Sequence, residues 1–189
     1  MGVVYFSIIP TFEPSRYCKC WIVCFHNAFV VVFKTLQEIE KLIGKCRTEL
    51  DTKKYYMPAE RFMRYSSDQT WEGWIYWSFI LLFQRLDDGS VMENGWIDGP
   101  VYAVEINVDS DTCDVPKVYI AKMQFDRMKD WTKGCSPSNH SLFYNAIHGN
   151  SWTPFWGLQK LEKQEHDLTD LTQKNYKDVI FGTIEKMAK

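Results

Sequence analysis

"WEGWIYWSFILLF", Trp71–Phe83, holds three tryptophans, a tyrosine and two phenylalanines in thirteen residues, and its reading decides the fold. Thirteen residues with Glu72 near the start fall short of the roughly 20 apolar residues that a membrane-spanning helix needs. As a strand, Ile75, Trp77, Phe79, Leu81 and Phe83 share one face, and Trp74, Tyr76, Ser78, Ile80 and Leu82 share the other. Both faces are largely apolar, so the stretch reads as the central strand of a covered sheet rather than as an aromatic surface. A buried helix of the same length is the competing reading, because periodicity alone does not separate the two. Gln84, Arg85 and "DDGS", Asp87–Ser90, mark its exit into water, the Asp-Gly pair being a hairpin signal.

Outward from that strand, "VVYFSII", "CWIVCF" and "AFVVVF" are β-branched and aromatic runs that read as three N-terminal strands, the last two turning at His26–Asn27. "KTLQEIEKLIGKCRTEL" changes period, with Leu36, Ile39, Ile43, Cys46 and Leu50 on one helical face and Thr35 with Glu38 as a capping box. Pro58 at a first helical position predicts a short helix over "PAERFMRY". "PVYAVEINVD" and "KVYIAKMQF" read as strands, the first with a bulge because Val101, Ala103 and Ile106 break strict alternation. "SPSNHSLFYNAIHG" is punctuated as a helix by Ser136, Pro137 and Gly149. Leu158, Leu161, Leu168 and Leu171 suit one further helix, and Tyr176, Val179, Ile180, Ile184 and Met187 another, with Gly182 as its weak point.

This order predicts an α+β fold: a mainly antiparallel sheet with helices packed on one face, the C-terminal helices as cover. No repeat or low-complexity linker divides the chain, so one domain over residues 1–189 is expected. The 189 residues are 46% hydrophobic and 24% charged, a globular balance, but 16% aromatic with eight tryptophans. The opening "MGVVYFSIIP" lacks a basic leader and a small-residue cleavage site, and six cysteines without such a leader point to reduced thiols in the cytoplasm. "CWIVCFHNAFVVVF", at 14 residues, is too short to span a bilayer, so no membrane association is expected.

Candidate chemistry is sparse. Cys18, Cys20, Cys24 and His26 count four zinc-type ligands, but on a strand Cys18 and Cys24 lie about 20 Å apart, which leaves them as core thiols. "DSDTCD" has Asp114 and Ile120 where a helix-loop-helix calcium loop needs glycine and glutamate. Cys135 with His140 or His148 would make a thiol and base, yet the two histidines fall at opposite ends of the predicted helix, about 12 Å apart. Glycine-rich phosphate loops, G-x-S-x-G and H-E-x-x-H do not occur in the sequence.

Charge is more informative. From Asp87 to Asp114 run eight acids, Asp87, Asp88, Glu93, Asp98, Glu105, Asp109, Asp111 and Asp114, with no lysine or arginine, and basic residues resume at Lys117. Asp98, Glu105 and Lys122 could form a metal-dependent phosphodiester-cleaving site, two carboxylates holding Mg²⁺ or Mn²⁺ and the lysine meeting developing charge. In outline this resembles the D…E-x-K arrangement of restriction-type nucleases, although Asn107 stands where that lysine is expected. The plainer expectation makes Glu105 and Lys122 exposed cross-strand charge partners.

"NSWTPFWG" sets Trp152, Phe155 and Trp156 around Pro154, a rigid aromatic loop of the kind interfaces use as anchors, although the plainer expectation folds its tryptophans back as a lid on the helix–sheet core. The favoured expectation is therefore a non-enzymatic protein-binding module of inhibitor, immunity or adaptor type, without a cofactor. Its acidic and aromatic surface comprises Asp87, Asp88, Glu93, Asp109, Asp111, Trp152, Phe155 and Trp156 and faces a partner protein with a basic surface. Nucleic acid is left only to a local patch, since the net charge of −2 supplies no attracting field.

Overall fold

The structure, a computed structural model, describes residues 16–63, 76–108, 114–132, 140–149, 157–172 and 174–189. The chain divides into two compact units, Met1–Lys41 and Leu42–Lys189. The described part of the first is a helix that continues into the second, α1, Arg16–Thr48. The two strands and hairpin expected over Cys20–Phe33 are thus one helix. "HN" offers neither glycine nor a positive-φ turn to reverse the chain. β-branched residues, for their part, favour strands only where a pleated neighbour receives them. Phe25, Phe29, Val32, Leu36, Ile39, Ile43 and Cys46 are instead spaced alternately by four and three, a continuous helical stripe. Thr35 lies inside the helix and its Oγ1 donates to the Val31 carbonyl, while Glu38 pairs with Lys41, so no capping box forms. Cys24 is exposed on this helix, not a core thiol, whereas Cys46 is buried, which pushes its thiol up to about 12.

The second unit is a five-stranded antiparallel meander in the order β1-β2-β3-β4-β5, an α+β fold. The strands are β1 Tyr55–Met63, β2 Ser78–Arg85, β3 Val101–Asn107, β4 Lys117–Phe125 and β5 Leu158–Asp167. Two helices follow the expected sequence signals, α2 His140–His148 and α3 Tyr176–Ala188. Gly149 ends α2 at φ +78, a left-handed turn that glycine adopts without strain. The strand over the aromatic stretch is β2, interior but second in order, and β3 is central. Trp71 and Trp74 lie outside the described residues.

Two expected helices are edge strands. Pro58 lies in β1, where an outermost strand tolerates its missing N–H, and two register shifts against β2 flank Ala59. Leu158 and Leu161 both pack against the core although their spacing is odd for a strand. A bulge allows this: Gln124 pairs Lys160 and Phe125 pairs Leu158, leaving Gln159 as an extra residue. The bulge expected in β3 is absent, and its pairs with β2 and β4 run without a shift.

All seven residues of β3 are buried, and so are the first seven of β2. On one face Ile80, Leu82, Val101, Ala103, Ala121 and Met123 meet Leu142, Phe143, Ala146 and Ile147 of α2. On the other, the Phe83 ring stands edge-on to Phe181 of α3, and Tyr55 packs on the same ring. The C-terminal helix is the expected cover, and α2 adds a second on the opposite face rather than sharing one. Each is closed by a lysine from the sheet: Lys163 Nζ donates to the Ile147 carbonyl of α2 at 2.8 Å, and Lys122 Nζ to the Met187 carbonyl of α3 at 2.6 Å.

α3 is further tied by two acids. Tyr176 Oη donates to Glu49 at 2.6 Å, and Tyr55 Oη donates to Glu185, which Lys54 and Arg85 also approach at 3.0 and 3.6 Å. Burial pushes the Glu185 carboxyl up, but the Tyr55 and Lys54 hydrogen bonds and the Arg85 charge outweigh it and hold the group below its ordinary 4.5. A depressed carboxyl contributes stability that is complete above the unfolded value and is lost as pH falls through the folded one. Urea unfolding of wild type is therefore expected to weaken on acidification below about pH 4.5, and Glu185→Gln to flatten that part of the profile while lowering stability at neutral pH. Gly182, inside α3, has open space where a Cβ would lie, so Gly182→Ala is expected to stabilise by about 0.5–1 kcal/mol, read as a raised urea midpoint.

Candidate functional site

Two constellations carry the polar chemistry of the second unit. The first is the segment joining β2 to β3, residues 86–100, which is held along its length. Gln84 is fully buried, and its side-chain amide pairs with the Ile97 backbone in both directions, at 2.8 and 2.9 Å, as a neighbouring strand would. Asn94 Nδ2 donates to the Met128 and Trp131 carbonyls, and Trp96 Nε1 to the Thr132 carbonyl. The Trp96 indole is buried edge-on to Trp131, 4.9 Å between centroids, and Trp131 in turn meets Phe125 and Phe143. Gly89 packs so closely that a Cβ would fall 1.9 Å from the Asp98 carbonyl oxygen, and a Cβ on Gly99 would fall 2.9 Å from that of Asp88. Only residues without a side chain let the two arms touch.

On this frame Asp87, Glu93 and Asp98 are exposed, with the apolar Val91 exposed between them. Asp88 does not join them. It accepts from Arg85 and from the Tyr102 hydroxyl, both at 2.8 Å, and its charge drives the Tyr102 phenol pKa upward together with burial, the larger cause. Of the remaining acids, Asp114 is exposed and Asp109 and Asp111 lie outside the described residues, as do Trp152, Phe155, Trp156 and Cys135.

The second constellation lies where α2 covers the sheet. Glu105, Ser78 and Asn107 are fully buried and His140 almost so. Ser78 Oγ donates to Glu105 Oε1 at 2.7 Å, Asn107 Nδ2 donates to the same oxygen at 3.3 Å, and His148 Nε2 lies 2.9 Å from Oε2. His140 Nε2 is 3.0 Å from Ser78 Oγ. With Glu105 as a carboxylate, which only accepts, His148 would donate from Nε2, and with the serine proton directed at Glu105, His140 would donate to Ser78 from its own Nε2. The Tyr144 ring stacks between the two histidines, with centroids 5.5 and 4.4 Å away. The spacing His140, Tyr144, His148 by fours was the sequence signal for this stack. The two histidines converge through Ser78 and Glu105, and Cys135 lies outside the described residues. Buried at Ser78, Glu105 and Asn107 and partly open at His148, the cluster forms a polar lock between sheet and helix.

Asp98, Glu105 and Lys122 are not brought together. Glu105 pairs with Tyr119 and points to the α2 face, whereas Lys122 pairs with Tyr102 and reaches α3 on the other side of the sheet. The expected Glu105–Lys122 cross-strand pair fails for the same reason: Lys122 stands three residues from Tyr119, the partner of Glu105, and an odd offset reverses the face. Other bases of β4 and its flank are engaged, Lys117 with Asp167 and Glu165, and Arg127 with Asp130. Among the described residues no group of three His, Cys, Asp or Glu side chains is arranged to hold a metal ion, and no helix is long and apolar enough to cross a membrane.

Comparison of the chain with protein-family models, with curated proteins and with solved structures finds no match.

Removing one member of a buried hydrogen-bonded network strands the others, at about 1–3 kcal/mol for a neutral group and more for a charged one. Ser78→Ala is expected to cost an amount in that range, and Glu105→Ala more, as fall in urea midpoint. A Glu105→Ala loss no greater than that of an exposed control such as Glu165→Ala would refute the lock.

Proposed function

We propose that the protein is a non-enzymatic protein-binding module whose recognition element is the 86–100 loop. One observation carries the reading: an apolar residue, Val91, exposed among Asp87, Glu93 and Asp98 on a loop whose backbone is tied to the sheet and to residues 128–132. A loop that is already ordered loses little conformational freedom on binding, which favours recognition over idle solvation. Three carboxylates without a neighbouring base on the loop suit a partner protein with a basic surface, as an inhibitor, immunity protein or adaptor would require. Asp109, Asp111, Trp152, Phe155 and Trp156, outside the described residues, are counted with the binding residues in this reading, which also takes the cysteines as reduced and the cytoplasm as its location. No catalytic role or cofactor is part of this reading.

Affinity capture from the native host, quantified by mass spectrometry, tests it. The partner is expected to fall by at least about tenfold with the triple variant Asp87→Lys, Glu93→Lys, Asp98→Lys, and to weaken between about 0.05 and 0.5 M salt, while Asp170→Lys leaves capture unchanged. Retention of the same partner by the triple variant would overturn the electrostatic surface.

A further inference from the structure

The 86–100 loop carries a strand edge that the sheet leaves unused. Val91 and Ile97 face each other as an antiparallel bridge, closed on either side by the Asp98 N–H donating to the Ser90 carbonyl at 2.8 Å and the Met92 N–H to the Trp96 carbonyl at 2.7 Å. In a pair bracketed in this way, both residues turn their own N–H and C=O away from each other. On the Ile97 side the two groups are bonded to the side-chain amide of buried Gln84. On the Val91 side they are open: among the described residues neither backbone group of Val91 makes a hydrogen bond, and neither do those of Gly89 and Glu93, two residues away in each direction. Unbonded pairs at every second residue, with the Ser90 carbonyl and the Met92 N–H turned inward between them, are the pattern of a strand edge. Val91, at its centre, is 68% exposed.

Exposed edges are usually blunted by lysine, proline, a bulge or a covering element. Here the central residue is valine, and no lysine, arginine or proline occurs from Leu86 to Gly99. An N–H and a C=O presented by one residue are matched by an extended backbone, which offers the same pair in return, whereas a helix keeps its own groups bonded internally. Charge then separates the extended segments that could lie there. Asp87, Glu93 and Asp98 are exposed on this loop, so a second copy would bring three carboxylates toward the same three. Lysine or arginine across from them is favourable instead, as in any cross-strand pair of opposite charge. Buried Gln84 and Trp96 hold the edge in place before a partner arrives, so pairing requires no reordering of the loop.

We propose that the Gly89–Glu93 edge accepts an extended, basic segment of the partner protein as an added antiparallel strand, a mode of recognition that rests on the binding role proposed for the 86–100 loop. The probe is a capped peptide, Lys-Thr-Val-Thr-Lys, whose valine lies opposite Val91 and one of whose lysines lies opposite Glu93. Titrated into the isotope-labelled full-length protein, it is expected to bind with a Kd on the order of 1 mM and to shift the Val91 and Glu93 amide resonances most. Methylating the nitrogen of the peptide's valine removes the N–H that meets the Val91 carbonyl, and is expected to weaken binding by about fivefold, the effect of one lost hydrogen bond. Val91→Pro removes the matching N–H of the protein at an edge position, where proline is tolerated, and is expected to weaken the parent peptide by a similar factor at an unchanged urea midpoint. Equal affinity of the parent and N-methylated peptides for wild type, undiminished binding by folded Val91→Pro, or no shift at Val91 up to about 10 mM peptide overturns the added strand. Where the two peptides bind equally, loss of both in the triple variant Asp87→Lys, Glu93→Lys, Asp98→Lys leaves the acidic surface standing without the edge, and binding that persists there overturns both.

Discussion

Burial of β2, β3 and most of β4 on both faces is the constraint from which the rest of the second unit follows. A strand with two buried faces requires two layers of cover, and the chain supplies one helix for each, α2 against Ile80, Leu82 and Ala103, and α3 against Phe83. It also obliges every polar group on those strands to find a partner within the protein, because water is absent from both sides. Ser78, Gln84, Glu105 and Asn107 are the polar groups so placed. Gln84 answers by holding the 86–100 loop and Glu105 by holding α2, so the same requirement orders both the exposed loop and the helical cover.

That requirement also bears on function. The acidic run looked uniform along the chain, but folding sorts it: Glu105 goes inside, Asp88 is neutralised beside Arg85 and Tyr102, and Asp87, Glu93 and Asp98 alone face water from the rigid loop. The aromatic content sorts likewise. Trp96, Trp131, Phe125 and Phe143 form an edge-on cluster beneath that loop, where they stiffen it. Lys122, a candidate for meeting developing charge, closes the end of a helix, as does Lys163 on the opposite face.

Much of the strand content was legible because its cause is local. β2, β3 and β4 are short apolar runs bounded by turn signals, and α2 and α3 combine a helical period with an end marked by Gly149 or by polar punctuation. The failures at the sheet edges have a common origin in non-local pairing. β1, interrupted by Pro58, and β5, rich in charge, are irregular edge strands that exist because β2 and β4 offer them hydrogen bonds, and the bulge at Gln159 disguised the strand spacing of Leu158 and Leu161 as a helical one. In α1 the β-branched residues of Ala28–Phe33 imitated a strand, while the four-three stripe running through to Cys46 held the true period.

By itself the sequence determined the composition of the core, the α+β class, the doubly buried strand after Trp77 and the location of its acids and aromatics along the chain. These follow from periodicity and from turn and cap chemistry, which act over a few residues. Only the tertiary structure decided which face each side chain joins and which distant groups meet. Ser78, Glu105 and the His140–His148 pair are separated by tens of residues, and strand register with the docking of α2 puts them in one cluster and Lys122 across the sheet from it. A shift of one residue in that register would reverse every such assignment, and the register is settled only when the paired strands and their turns are in place.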